Sequence, residues 1–355
     1  MTGEWWNGRR VFLTGHTGFM GGWLASYLLS RGARVFGYAL EPPTEPSFFR
    51  ATRLAERLAS SVIADIRDVP ELTAAMRAAR PEVIFHLAAQ PLVLPAHEDP
   101  RATFDINVMG TLNLLEAARG QSDLKAVLLV TTDKVYLNQN WHWPYRENDP
   151  LGGREPYSAS KAASEMVISA YAHSYFNHVG VAALRVGNII GGGDWARHRL
   201  IPDAVRCFSA GAPLILRHPQ ATRPWQHVLD PLPGYLALAE ALVREPGSHG
   251  GGWNFGPAQQ DCQPVERVAG LMATAWGGKA KVEATGHSAI YEETYLALDS
   301  SKAAQRLGWT PRWQLPAAIA ALVTWYKAFY AGEDMAAVTA RQIGEFNGAG
   351  RKHAA

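Results

Sequence analysis

A short apolar run, Val11-Phe12-Leu13, leads through Thr14 into three glycines spaced G-x-x-G-x-x-G, at Gly15, Gly18 and Gly21. The segment behind them, from Trp23 to Arg31, carries apolar residues at helical spacing. Strand, tight turn and helix N-terminus in this order let the backbone approach a pyrophosphate closely. The helix end adds free N–H groups and a positive dipole. The stretch therefore predicts a dinucleotide site at the head of a strand–turn–helix unit. Three glycines alone would also suit a turn that merely packs a helix on a sheet; the flanking strand and helix favour the cofactor reading.

The alternation continues. Strands are expected at 34–39, 61–65, 83–90, 126–130 and 181–185, with helices at 69–80, 101–119 and 157–176. Strands that alternate with helices imply a parallel sheet covered on both faces, so the fold class expected is α/β, a Rossmann-type doubly wound parallel sheet. Beyond Arg185 the pattern loosens. Gly187 to Trp195 reads as a flexible glycine-rich turn, and Pro202, Pro213, Pro219 and Pro224 break the next stretch into short elements. This is read as a smaller mixed substrate lobe. The expected division is 1–187 with about 225–250 for the cofactor domain, 188–224 and 251–330 for the substrate lobe, and 331–355 for a C-terminal helix and a polar, disordered tail.

Composition excludes several classes. With a formal net charge of +2 and no basic run, nucleic acid is not an expected partner. No apolar stretch is long enough to span a bilayer, and residues 1–10 lack an apolar signal-peptide core. Cys207 and Cys262 stand far apart, outside any metal-ligand spacing, and read as reduced thiols of a cytoplasmic protein without a metal site.

Polar residues then mark the ends of the strands. Glu41, just past the second strand, suits either a ribose contact or a solvated loop. Asp65 and Asp68 follow the third strand, one suited to an adenine amine and the other to a helix cap. His86, on the fourth strand, reads as a satisfied core histidine. Small residues beyond it leave room for a cofactor. Asn107 would face the sheet and brace a neighbouring loop. Thr131, Thr132, Asp133 and Lys134 crowd the end of the central fifth strand, the expected address of an active site. Tyr157 and Lys161 lie at i and i+4 on one helix face, where an ammonium would favour phenolate and make Tyr157 a general base. Arg223 suits a diphosphate or a structural ion pair.

These stretches together resemble the extended short-chain dehydrogenase/reductase family, from about Arg10 to Trp313. Within it the chain is similar to the nucleotide-sugar 4,6-dehydratases of CDP-hexoses. The similarity is carried by Gly15-His16-Thr17-Gly18-Phe19, Ala39 to Ser47, Ala88-Ala89-Gln90-Pro91-Leu92-Val93, Thr132-Asp133-Lys134, Tyr145 to Pro150, Gly187 to Ala196, and Arg223-Pro224-Trp225-Gln226-His227-Val228. The resemblance implies NAD as cofactor, held by Gly15, Thr17, Gly18, Phe19, Met20 and Gly21 at the pyrophosphate. Asp65, Ile66, Leu87, Ala88 and Ala89 would follow along the cleft, with Asn107, Thr131, Tyr157 and Lys161 at its inner end. It implies that Tyr157 takes the proton of the sugar's 4-hydroxyl, that Lys161 holds the nicotinamide ribose, and that Thr132 bonds the same hydroxyl. Asp133 is the implied acid for the departing 6-hydroxyl, and Lys134 stands where related dTDP-sugar enzymes have a glutamate base. Gln90, Asn188 and Trp195 are implied to meet the nucleotide sugar, as are Arg199, Arg223, Asn254 and Tyr291. A homodimer or a dimer of dimers, built through the helices at 101–119 and 157–176, is implied too. Three places depart from the pattern. Met20 replaces a usual lysine, Leu94-Pro95-Ala96-His97 a stretch with arginine, serine and tyrosine, and His198 a usual aspartate. The alternatives are a nucleotide-sugar 4-epimerase on the same scaffold, which needs no acid at Asp133, and a non-catalytic NAD-binding protein.

Overall fold

The computed structural model describes residues 3–284 and 295–349. Twelve strands are present among them: β1 (Arg10–Thr14), β2 (Arg34–Ala39), β3 (Ser60–Ile63), β4 (Val83–His86), β5 (Ala126–Val130), β6 (Gly180–Val186), β7 (Asn188–Ile190), β8 (Leu214–Leu216), β9 (Thr222–His227), β10 (Gly251–Phe255), β11 (Cys262–Pro264) and β12 (Val282–Ala284). Seven of them form one sheet in the order β10-β6-β5-β4-β1-β2-β3, with every pair parallel. The order reverses between β1 and β4, and ligands of doubly wound sheets bind at such a point. The strands are continuous apolar runs because both faces are covered. Val11, Leu13, Phe85 and Leu128 enter one core, while Phe12, Ile84, Val127 and Leu129 enter the other.

The helices that matter for the site are α1 (Phe19–Ser30), α2 (Phe48–Ala51), α3 (Val69–Ala79), α4 (Val93–Glu98), α5 (Pro100–Phe104), α6 (Gly110–Arg119) and α7 (Pro156–Tyr175). After them come α8 (Leu200–Ser209), α9 (Pro231–Arg244), α10 (Val265–Trp276), α11 (Ser301–Leu307), α12 (Leu315–Tyr330) and α13 (Met335–Ala349). The helix expected at 101–119 is interrupted. A π turn, Asp105–Met109, separates α5 from α6; such bulges often sit at functional sites.

The second lobe is built on a three-stranded sheet, β11-β9-β7, with β7 parallel and β11 antiparallel to β9. Strands β8 and β12 pair beside it. Two expectations change here. First, Gly187 to Trp195 is no flexible turn: it contains β7, and its glycines are packing positions. A Cβ on Gly192 would lie 2.2 Å from the Trp325 ring, and Gly193, with φ +88°, leaves only 2.6 Å to Phe48. Second, β10, from the segment assigned to the substrate lobe, pairs with β6 in the main sheet. Residues 335–349 are helical, inside the segment read as a C-terminal helix and tail, with Met335, Val338, Ile343 and Phe346 buried; α13 packs on α1 and α12. Helix α12 is a core helix. Trp325 is fully buried and stacks on Phe48 at 6.0 Å.

Candidate active site at the carboxyl end of the central strands

The glycine turn has the geometry its spacing calls for. Gly15 has φ +77°, and a Cβ there would lie 2.8 Å from the Ala88 nitrogen. A Cβ on Gly21 would lie 2.0 Å from the Gly15 carbonyl oxygen, so only glycine lets α1 approach the turn this closely. Gly18 caps α1 without a side chain, which leaves the first-turn N–H groups for a ligand anion. Phe19, Met20 and Gly21 form that first turn, so the helix begins ahead of Trp23, where its apolar spacing first shows. Thr14 fixes the opposite wall: its hydroxyl bonds Nδ1 of His86 at 2.7 Å and accepts from the Leu87 and Ala88 N–H groups at 3.1 Å each. Thr17 donates to the Leu40 carbonyl at 2.8 Å. His86 is the satisfied core residue expected, held neutral at a pKa of about 3 by burial and by the charge on Lys161.

The acidic residues divide as anticipated at one position only. Asp68 caps α3, accepting from the Glu71 N–H. Asp65, in contrast, is clamped by Arg67 through its backbone and guanidinium, which holds its carboxyl below the usual range. Ile66 beside it is buried against Gly110. Arg50, the first basic residue past β2, is paired with Glu45 and Glu41. The cation nearest that strand end is thus already matched to carboxylates rather than held for a 2′-phosphate, so the cleft fits NAD better than NADP.

At the end of β5 the chain turns through one 3-10 turn, Asp133–Val135, with Thr132 as its cap. The Thr132 hydroxyl accepts from the Lys134 N–H at 3.3 Å and donates to Oδ1 of Asp133 at 3.0 Å. It is also hydrogen-bonded to the Tyr157 phenol. Tyr157, Thr132 and Asp133 thus form one continuous chain of polar groups at the strand end. Helix α7 supplies the phenol in a fixed position: Pro156 occupies its first turn, and Glu155 accepts from the Tyr157 and Ser158 N–H groups at 2.7 and 2.9 Å. Glu155-Pro156 ahead of Tyr157 is an N-cap signal, and it sets where the catalytic helix begins.

Lys161 lies one turn on and donates to the Val130 carbonyl at 3.0 Å. Burial lowers its pKa to about 8, against the opposing charge of Glu165. The expected effect of Lys161 on the phenol is not what this structure displays. Burial pushes Tyr157 up to about 12; the Thr132 hydrogen bond and the Arg199 guanidinium pull it down, and Asp133 pushes it up. The ammonium is turned to the backbone, and desolvation wins. A bound oxidised nicotinamide would add a positive charge that favours phenolate.

The remaining candidates separate into two sets. Arg199 belongs to the cleft, paired with Asp194 at 3.0 Å and acting on Tyr157. Arg223 is buried on β9, donating to the Thr222 carbonyl at 2.9 Å. Asn188, on β7, pairs with Trp225 of β9, and Lys134 is half-buried at the turn. Others are structural. Asn107, on the π turn, accepts from the Gln90 N–H at 2.8 Å and donates to the Gln90 carbonyl and the Ser160 hydroxyl, bracing loop and catalytic helix together. Gln90 spends its amide on Leu92 and Thr103. Trp195 packs in the aromatic core against Trp325, Tyr326 and Phe329. Asn254 is fully engaged by Tyr136, Tyr145 and Asp299. Thr131 donates to Glu165 at 2.7 Å, and Ala89 lies just past β4. Tyr291 lies outside the described residues.

A family model described as the NAD dependent epimerase/dehydratase family matches residues 11–256, from the first strand to the last strand of the main sheet. The chain belongs to that family. This member of the NAD dependent epimerase/dehydratase family is 47% identical over 350 residues to a CDP-glucose 4,6-dehydratase of Salmonella typhimurium, with 97% of each chain covered. It is 29% identical over 336 residues to a dTDP-glucose 4,6-dehydratase of Xanthomonas campestris, covering 88% of this chain and 92% of that one. Among solved structures, UDP-glucuronic acid 4-epimerase from Bacillus cereus, in complex with UDP-glucuronic acid and NAD, superposes with a TM-score of 0.77 at 21% identity, over 90% of this chain and 99% of that chain. The likeness to the solved structure shows the fold, and the family supplies the cofactor, NAD. Among the described residues no helix is long and apolar enough to cross a membrane.

Proposed function

We propose that the chain is a nucleotide-sugar 4,6-dehydratase, a hydro-lyase acting on CDP-glucose. NAD⁺, held at the Gly15–Gly21 turn, would supply a reversible hydride acceptor for position 4 of the hexose. Tyr157 takes the 4-hydroxyl proton, with Thr132 hydrogen-bonded to the same oxygen. The 4-keto group makes the 5-hydrogen acidic. Water leaves across positions 5 and 6 with Asp133 as the acid; the hydride then goes back to position 6 as a proton returns to position 5. Lys134 is the proposed base for the 5-hydrogen, and Arg199 and Arg223 are the proposed contacts of the diphosphate. The observation that carries this reading is Asp133. It is a buried carboxylate, hydrogen-bonded through Thr132 to Tyr157. A 4-epimerase needs Tyr157, Thr132 and Lys161 but no group to protonate a leaving hydroxyl.

A homodimer through α5–α6 and α7 is part of the proposal. Phe104, Met109 and Met166 on these helices are 39%, 44% and 61% exposed, apolar surface that a second copy would cover. The cytoplasm is the proposed compartment. Incubating the protein with CDP-, dTDP-, UDP- and GDP-glucose and weighing the products tests the function. A CDP-hexose lighter by one water is expected. A product of unchanged mass, or turnover of another nucleotide in its place, would contradict it.

A further inference from the structure

One buried ion pair has no part in the chemistry proposed above. Glu165 on α7 and Arg185 on β6 are both about 95% buried, and the guanidinium meets the carboxylate through Nε at 2.9 Å and Nη2 at 2.5 Å. Such a pair is weak evidence for stability. Removing two charges from water costs several kcal/mol, and a well-packed apolar pair of similar volume is often as stable or more so.

What this pair does is geometric. Oε1 of Glu165 accepts from the Thr131 hydroxyl at 2.7 Å, immediately before the turn Asp133–Val135. Nη1 of Arg185 donates to the Tyr136 hydroxyl at 2.8 Å, immediately after that turn, and to the Glu147 carbonyl at 3.0 Å. Tyr136 is in turn locked to Asn254 of β10 at 2.7 Å. The turn bearing Thr132, Asp133 and Lys134 is therefore held on both flanks by one ion pair. The anion of that pair stands at i+4 from Lys161, on the same helix face. We infer that Glu165 and Arg185 are positioning residues: together they register the turn carrying Thr132 and Asp133 against the helix carrying Tyr157 and Lys161, and Glu165 keeps a negative charge one turn from the Lys161 ammonium.

The groups that bond to Lys161 or act on its charge agree with this role. On its own helix is Glu165. From β4 comes His86, which burial keeps neutral, and from β5 the Val130 carbonyl. Glu165 is the anion that opposes the downward pull of burial on Lys161. Without that charge Lys161 would lose its proton nearer neutrality, and a neutral amine brings no positive charge to the inner end of the site.

The inference rests on the catalytic roles proposed above, so its test includes a reading that does not. In cofactor-free protein with ¹³C-labelled lysine, the Lys161 signal, assigned with Lys161→Met, titrates lower in Glu165→Gln by about one pH unit. In the loaded enzyme the alkaline limb of nicotinamide reduction on adding CDP-glucose moves down with it. Glu165→Leu combined with Arg185→Met covers the case in which the single variant does not fold. This pair of substitutions leaves no unpaired buried charge and is expected to fold, yet to reduce its nicotinamide about 10-fold or more slowly, because the turn is no longer registered. An unchanged Lys161 titration in Glu165→Gln, or a wild-type rate in the double variant, would overturn the inference. If Tyr157→Phe is inactive while these variants behave as wild type, the inference fails alone; if Tyr157→Phe is active, the proposed mechanism fails with it.

Discussion

Asp230, at the start of α9, provides a test of the electrostatics from a residue outside the site. It is 1% exposed, and Oδ1 accepts the N–H groups of Arg312 at 2.7 Å and Trp313 at 3.2 Å. Burial raises its pKa from 3.8 to about 7, with nearby Asp261 adding to the rise and the two backbone donors opposing it. The folded state therefore holds this proton more tightly than the unfolded chain does. Between pH 4 and 7 the native protein binds more protons at this carboxyl than the unfolded one, so stability falls as pH rises and levels off above 7. The slope approaches about 1.4 kcal/mol per unit near pH 5 to 6 and falls off towards pH 7, so the loss from pH 5 to 7 is about 2 kcal/mol and from pH 5 to 8 about 3 kcal/mol. Asp230→Asn keeps the Oδ1 acceptor and removes the titration. Its stability relative to wild type, from urea unfolding, should improve by about 3 kcal/mol between pH 5 and pH 8. Other titrating groups cancel in that difference. Wild-type and variant stabilities that run parallel across this range would refute the argument that desolvation outweighs the two hydrogen bonds.

Two further outcomes concern the cleft. Tyr157→Phe should retain NAD, whose pyrophosphate site is untouched, and lose nicotinamide reduction by a factor of about 10³ or more; absorbance of reduced nicotinamide after adding CDP-glucose reads this directly. Asp133→Asn keeps the shape of the residue but removes the proton donor. It should reduce its nicotinamide and then stall, accumulating the reduced cofactor with little 4-keto-6-deoxy product, and dehydration at the wild-type rate would remove Asp133 from the acid role.

Much of the architecture was legible because it arises from short-range patterns. The glycine spacing, the apolar runs of β1 to β6, and the i, i+4 placement of Tyr157 and Lys161 all survive in the structure. What failed depends on long-range packing. Gly192 and Gly193 look like a hinge until Trp325 and Phe48, distant in sequence, are found against them. The neighbours of Trp195 and Asn254, on α12 and in the segment around Tyr145 and Asp299, are likewise distant in sequence and show in no short-range pattern. The strand Gly251–Phe255 is too short and glycine-rich to announce its place at the sheet edge. Glu165 carried a readable signal, four residues after Lys161, but its partner Arg185 sits on another strand, and only the fold joins them. The phenol of Tyr157 shows the limit of pairwise reasoning: an ammonium at i+4 was in the sequence, whereas the desolvation that outweighs it depends on everything packed around the ring.

The central claim is that one hydride leaves position 4 and comes back to position 6 of the same sugar while water is lost. CDP-glucose carrying deuterium at position 4 tests it most directly. Nuclear magnetic resonance and mass spectrometry of the product should find the deuterium retained on the new methyl group of a CDP-4-keto-6-deoxyhexose. Deuterium back at position 4 of an unchanged or epimeric hexose, or lost to solvent, would contradict the account.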